Sequence, residues 1–437
     1  MPNPKLLIVD MACFLFFFSS FSFKFILCIH AMREIILLKR ENEVRKLSAS
    51  KAYKQLILGM LSLFIVMAIG RFSYTPILPF MQKATHLSNQ DAGLLATINY
   101  LGYLIGAMIP TFLIMRSKVI DLKIYLLINI ISVLLMGFTH DFITWNVLRF
   151  VAGITSGTVF VLASNVVLEG LNKGGKSHLS GFLYSGVGIG IFTSSIFVQL
   201  YTDSETWSST WIILGVASLL MGSIVIFLMK DIKEPLNLKQ KKLNIETDKN
   251  ETYTKWFMVF FSIAYLLEGA GYIVTGTFLV AIVESIPNLK EYAALSWMFV
   301  GLTAIPSCVL WSVLGNKIGY IKAIYLAFML QFIGVILPVF SHTTISLIIS
   351  SCLFGGTFLG LTTLFMSRGQ IMSAISGKNL VALLTFFYSL GQVIAPYFAG
   401  ILIGDTNNYN GALIFASSLL VLAIIAIFLS QRQRQQT

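Results

Sequence analysis

Between residues 55 and 429 the sequence breaks into twelve apolar runs of membrane-spanning length, separated by short charged, Pro/Gly or Asn/Asp clusters. A helix needs about 20 largely apolar residues to cross the hydrocarbon core of a bilayer. The runs lie near 55–81, 92–115, 119–138, 144–168, 178–201, 208–229, 255–283, 292–314, 319–340, 344–366, 379–403 and 410–429. Only 11% of the residues are charged and 56% are hydrophobic, whereas a soluble domain carries about 25% charged residues. A soluble fold is excluded, and the sequence predicts an all-α polytopic membrane protein with twelve transmembrane helices.

Loop charges set the expected orientation, because Lys and Arg next to short loops stay in the cytoplasm. One side of the predicted bundle carries 18 of them, among them Arg116, Lys118, Lys173, Lys317 and Arg368; the loops on the other side hold Lys83 and Lys290. Both ends of the twelve-helix unit are therefore expected in the cytoplasm, in a multi-pass protein of the cell membrane. This bias accounts for most of the net charge of +12, so no nucleic-acid partner is implied; the bilayer is the macroscopic partner.

The longest polar stretch, from Lys230 to Lys255, falls between the sixth and seventh runs. It divides the chain into a six-helix half at 54–229, a linker at 230–254, a second six-helix half at 255–430 and a tail at 431–437. Asn250-Glu-Thr252 in the linker matches a glycosylation acceptor, which a cytoplasmic loop would not present to the enzyme. Residues 1–53 form an extension outside this count. Their apolar run, 6–32, has three readings: an uncleaved extra helix, a secretory signal, or sequence upstream of a true start such as Met32. The basic cluster Arg33, Lys39, Arg40, Arg45 and Lys46 follows the run instead of preceding it, which argues against a cleaved signal.

The two halves carry traces of duplication. Phe182-Leu-Tyr184-Ser185-Gly186-Val-Gly188 aligns with Phe386-Phe-Tyr388-Ser389-Leu-Gly391-Gln392 at an offset of 204, and the first and seventh runs align at 198, pairing Tyr74 with Tyr272 and Phe80 with Phe278. Glycines repeat at four residues in Gly102 and Gly106, Gly153 and Gly157, and Gly186 and Gly190, which puts bare backbone on one helix face for close packing. Pro76, Pro79 and Pro306 are expected to kink their helices.

Arg149-Phe-Val-Ala-Gly153-Ile-Thr-Ser-Gly157 in the fourth run matches the RxxxGxxxG pattern of the major facilitator superfamily, and residues 54–430 resemble that superfamily as a whole. The loop signature is degraded at Met115-Arg116-Ser-Lys118 and fuller at Gly315-Asn-Lys317-Ile-Gly319. Gly70-Arg71-Phe-Ser-Tyr74-Thr75-Pro76-Ile-Leu-Pro79 and Asn99-Tyr100-Leu-Gly102-Tyr103-Leu-Ile-Gly106 are similar to the uncharacterised YbfB/YjiJ-type bacterial branch. So are Glu268-Gly269-Ala-Gly271-Tyr272-Ile-Val-Thr275-Gly276-Thr277-Phe and Gly391-Gln392-Val-Ile-Ala-Pro396. The resemblance implies a secondary transporter with two six-helix halves, no cofactor, and a central cavity lined by the first, fourth and seventh helices. The glycines of the fifth run lack the proline that follows them in the superfamily's antiporters, which weighs against multidrug efflux.

Charges inside the hydrocarbon core need a reason, since each costs roughly 2.5–3.5 kcal/mol on insertion scales. The clear cases are Arg71, Arg149 and Glu268, read either as a buried ion pair that fixes packing or as transport groups. The 198 offset pairs Gly70 with Glu268, so Arg71 and Glu268 are expected at similar depth, within reach across the cavity. Burial favours a neutral carboxyl and a nearby guanidinium an ionised one, which makes Glu268 the candidate proton-coupling residue. The arginines suit a carboxylate or phosphate, so a small organic anion is the expected substrate. Tyr74, Asn99, Tyr100, Asn165, Tyr265, Tyr272, Tyr388 and Gln392 complete the candidate cavity, each with the alternative of an interhelical hydrogen bond.

Other classes fit less well. Residues 170–177 spell GxxxxGK[ST], the phosphate-binding loop, yet they join two membrane helices where that loop requires a strand and a helix of an α/β domain. A lipid-modifying membrane enzyme shares this hydropathy, but there is no HExxH or Asp-rich cluster, and His86, His140, His178 and His342 fall in or beside loops. Cys13, Cys28, Cys308 and Cys352 sit at wide spacing in apolar runs and read as small packing residues, with neither disulfide nor metal implied. A sugar or multidrug efflux transporter of the same fold is the other reading within the class.

Overall fold

The computed structural model describes residues 43–176, 179–231, 254–376, 380–404 and 408–434. Most of the linker, the segment before residue 43, Cys13, Cys28 and His178 lie outside the described residues. Among the described residues twelve helices are long and apolar enough to cross a membrane: α1 (Ser50–Thr85), α2 (Asn89–Phe112), α3 (Lys118–Phe138), α4 (Phe142–Lys173), α5 (Phe182–Tyr201), α6 (Trp207–Leu228), α7 (Lys255–Glu284), α8 (Ala293–Ile318), α9 (Tyr320–Phe340), α10 (Thr344–Ser376), α11 (Leu380–Ile403) and α12 (Asn410–Arg434). All twelve expected runs are helical, and no strand occurs among the described residues.

The helix ends follow local chemistry. Ser88, Ser117, Asp141 and Thr254 cap α2, α3, α4 and α7 by accepting a backbone N–H with the side chain. α2 stops at Phe112 because Leu113 is extended, and the Met115 N–H donates to buried Asp121 at 2.8 Å. α4 runs five residues past the apolar window to Lys173, and Gly174 and Lys176 close it by donating to the Gly170 and Leu171 carbonyls at 3.0 and 2.8 Å. Gly170-Leu-Asn-Lys173 is thus the last helical turn of α4, in place of a strand-to-helix loop.

α1 departs from a regular helix where it carries its charge. Phe64–Phe72 adopt π-helical turns, a tight turn follows at Ser73, and the α-helix resumes at Tyr74. Pro76 has no N–H to give to the Phe72 carbonyl, so the ladder is already broken there. The Ser73 hydroxyl at the turn donates to the Ala68 carbonyl at 3.1 Å. Wide π turns of this kind mark functional positions in many helices.

Packing within α1–α6 recurs within α7–α12: α2 against α4 and α8 against α10, α3 against α6 and α9 against α12. The α2/α4 contact is the closest in kind to bare backbone on backbone. A side chain at Gly106 would overlap the Ile154 carbonyl, and one at Gly153 the Asn99 carbonyl, so glycine is required at both.

The two sets of six helices meet along α2/α11 and α5/α8. On the side away from the basic loops this junction is tightly joined. Thr75 donates to the Gly276 carbonyl at 2.5 Å, Asn89 to the Gly404 carbonyl at 2.8 Å and Thr97 to the Val393 carbonyl at 3.0 Å. Lys83 pairs with Glu284. Gly93 lies against the Pro396 carbonyl and Gly400 against Asn89. Nearer the basic loops, Ser185 donates to the Ile305 carbonyl at 2.7 Å, while Leu383 and Asn165 are exposed. Gly93→Leu is expected to wedge this seal apart. A membrane-impermeant thiol reagent added on the Lys83 side should then label a Thr277→Cys reporter that is protected when Gly93 is intact.

Candidate functional site

Arg71 sits near the middle of the bundle, on the last π turn of α1, and is 2% exposed. Its Nη2 donates to Oε1 of Gln392 on α11, joining one six-helix set to the other. The guanidinium carbon lies 4.5 Å from the Tyr100 ring centre, 4.3 Å from that of Tyr103 and 5.2 Å from that of Phe72. Cation–π contact with aromatic faces replaces part of the lost hydration. No carboxylate pairs with Arg71 among the described residues. Its Nε and the Nε2 of Gln392 are buried donors without a protein acceptor.

Arg149 forms a second buried group inside the first six helices. Its Nη1 donates to the Gly70 carbonyl at 3.3 Å, and its guanidinium lies 4.5 Å from the Tyr74 ring. Asn99 donates to the Arg149 carbonyl at 2.8 Å, and the Tyr74 hydroxyl to the Ala92 carbonyl at 3.0 Å. Both polar residues thus have interhelical partners. Asn165 lies apart from this group and is exposed on the final third of α4.

Glu268 is fully buried and faces α9, where Gln331 donates to its Oε1 at 3.5 Å; Oε2 has no protein partner. The expected meeting of Arg71 with Glu268 is not what the structure has. The π turn aims Arg71 at α11, whereas Glu268 is turned toward α9 within its own six helices. Tyr272 and Tyr388 lie within electrostatic reach of both charges.

Those tyrosines belong to a column of nearly parallel rings. Tyr265 stacks on Tyr388 at 4.5 Å and Tyr388 on Tyr272 at 5.7 Å, with 18° and 4° between planes. Phe365 continues the column beyond Tyr265 at 4.4 Å, and Phe358 beyond Tyr272 at 5.9 Å. The Tyr388 hydroxyl accepts from Thr362 at 3.3 Å. Tyr100 shares a 3.2 Å hydrogen bond with Thr277 of α7.

Arg71, Tyr100, Tyr272, Tyr388 and Gln392 therefore come together, Tyr265 and Glu268 adjoin them, and Arg149, Tyr74 and Asn99 stand behind. Sequence reading missed Tyr103 and Gln331. Tyr103 is three residues from Tyr100 on the same helix face, and Gln331 is a lone amide in an apolar run; each was a visible signal. The π turn had only the weaker mark of Pro76 after Arg71.

The profile of the family described as "Uncharacterised MFS-type transporter YbfB" matches residues 63–428. The chain belongs to this family. This is a family of MFS-type transporters, and the chain carries its twelve candidate membrane-spanning helices within the described residues. The sialic acid transporter NanX of Escherichia coli (strain K12) is 23% identical over 231 residues, 52% of this chain and 56% of that protein. The benzoate transport protein of Acinetobacter baylyi (strain ATCC 33305 / BD413 / ADP1) is 28% identical over 182 residues, 40% of this chain and 38% of that protein. The matches span about half the length, or less, of these two relatives. The crystal structure of nucleoside transporter NupG superposes with a TM-score of 0.63 at 14% identity, covering 86% of this chain and 98% of that one. A mutant of NupG gives 0.66, so the chain has the major facilitator fold.

The link from Arg71 to Gln392 yields a stability test. Gln392→Leu leaves the buried Nη2 without an acceptor, at a cost of about 1–3 kcal/mol. The unfolding temperature in detergent is expected to fall, whereas Gln392→Glu, which offers a carboxylate to the same guanidinium, is expected to hold or raise it.

Proposed function

We propose that the protein is a proton-coupled secondary transporter of a small organic anion, working by alternating access in the cell membrane with its basic loops in the cytoplasm. The observation that carries the anion is the surplus of donors at the centre. Arg71 and Gln392, from opposite six-helix sets, present buried N–H groups without acceptors, and Arg149 adds a second positive charge nearby. A carboxylate brings about four lone-pair sites and a negative charge, satisfying both deficits. Sialic acid and benzoate, named for the two relatives, are both carboxylic acids.

Alternating access follows from where the seal lies. Bonds on the Lys83 side hold that mouth shut, and the lysine and arginine bias puts it outside. Anion bound between Arg71 and Gln392 engages both halves at once, so it favours the arrangement in which they close on it. Glu268 takes the coupling role. Its partner is an amide, so no ion pair fixes its charge, and Tyr272 and Tyr388 stand between its field and that of Arg71.

Purified protein in vesicles provides the test, with a panel of small organic anions set against neutral sugars and cationic drugs. An anion is expected to drive proton movement in the parent. Arg71→Ala should abolish it, a loss of at least tenfold for a charged hydrogen bond of about 1.5–3 kcal/mol. Glu268→Gln should keep anion exchange across the membrane and lose accumulation driven by a proton gradient. Full proton dependence in Glu268→Gln would rule out the coupling role.

A further inference from the structure

A glutamine in the middle of an apolar helix has to satisfy an amide, and Gln331 on α9 does so in part. Its Nε2 donates to Oε1 of Glu268 at 3.5 Å, a long bond, while its own Oε1 and the second carboxyl oxygen, Glu268 Oε2, are buried without a partner. Ala327, Phe328 and Val335 share the Gln331 face of α9 and are fully buried. Buried oxygens without a donor are costly, and here two of them stand on adjoining groups. Two acceptors cannot satisfy each other. One proton makes them a donor and an acceptor, because a neutral carboxylic acid has an O–H to give and a primary amide has both an oxygen and N–H groups. Acid and amide then close into a ring of two hydrogen bonds.

We propose that Gln331 is the positioning residue of the coupling site: the proton taken up by Glu268 sits on Oε2 and is donated to Oε1 of Gln331, while Gln331 Nε2 goes on donating to Oε1 of Glu268. This rests on the proton-coupling reading of Glu268. Uptake adds one H+ from water to the carboxylate, and release returns it, leaving the single N–H bond to a charged oxygen. The amide has a bond to give in either state, and the second bond ties α7 to α9 only while the proton is held. Gln331 is free for this task. Asn129, at the same place on α3, spends its Nδ2 on the Ala152 carbonyl at 3.1 Å and the Thr155 hydroxyl at 2.8 Å, whereas among the described residues Gln331 bonds to Glu268 and not to backbone. Other groups leave the pair to itself. Tyr265 and Tyr272 from α7 and Tyr388 from α11 feel the Glu268 charge, and no Lys, Arg, His, Asp or second Glu among the described residues of α1, α8, α9, α10 or α12 acts on it.

Infrared difference spectroscopy between acid and alkaline pH, on the purified full chain without substrate, tests this. A protonated-carboxyl C=O band that disappears in Glu268→Gln is expected. In Gln331→Met the band should move to higher wavenumber, because the carbonyl loses the N–H that polarises it and the acid loses its acceptor; a residue that only fills space would leave the band in place. Accumulation driven by a proton gradient in vesicles should be lost in Glu268→Gln and restored, at least in part, by the double variant Glu268→Gln with Gln331→Glu, which exchanges acid and amide across the same ring. An unshifted band in Gln331→Met, or a double variant as inactive as Glu268→Gln, overturns the role of Gln331 and leaves the proton reading standing. If Glu268→Gln removes no carboxyl band, Glu268 takes up no proton and the coupling reading itself fails.

Discussion

A guanidinium at the centre of a membrane bundle is the constraint around which the rest of this structure is arranged. Taken from water without compensation, such a charge costs far more than a single hydrogen bond returns. Arg71 is carried by three devices acting together. The π turn of α1 swings the side chain off the regular helical path. Tyr100 and Tyr103 lay ring faces on either part of the cation. Gln392 accepts from across the junction. The last two devices tie α2 and α11 to α1, so the charge sets the mutual position of these three helices near the middle of the bundle.

The compensation is incomplete, and on the proposed reading the donors left over are what a ligand would engage. A purely structural role would be served by placing Glu268 against Arg71, which the expected helix pairing allowed. The protein instead spends its carboxyl on Gln331, one helix further back. Arg149 is buried too, and its Nε and Nη2 also lack a protein acceptor, but the partners it has, Gly70 and Tyr74, belong to its own set of six helices.

The fold was legible because hydropathy acts on every residue of a span. Twelve runs and the basic loops follow from the cost of exposing backbone and charge to lipid, and the helices fall on those runs. Arg71, Arg149 and Glu268 were legible for the same reason, as charges where charge is expensive. Their pairing was not. An offset between repeats gives depth along the membrane normal, but contact depends on rotation about the helix axis, and the π turn changes that rotation for Arg71. Asn165 illustrates the same gap: Ala163, Val166 and Val167 beside it are buried, yet its own position on the helix is exposed.

The duplicated halves make the asymmetry physical. Asn129 and Gln331 occupy the twelfth position of α3 and α9, two helices of equal length. Opposite Gln331 stands Glu268; opposite Asn129 stands Gly70, whose missing side chain leaves room for the amide itself. The two sets of six helices thus hold matching niches between their first and third helices, and only one is filled with a carboxyl. In the other set the charge stands one residue on, at Arg71, where the π turn presents it to Gln392 of the partner set. A symmetric pair of carboxyls would repel any anion, and a symmetric pair of arginines would leave no group to exchange a proton. In the proposed mechanism, one of each, both within electrostatic reach of Tyr272 and Tyr388, would let anion binding at Arg71 act on Glu268 without the two charges neutralising each other.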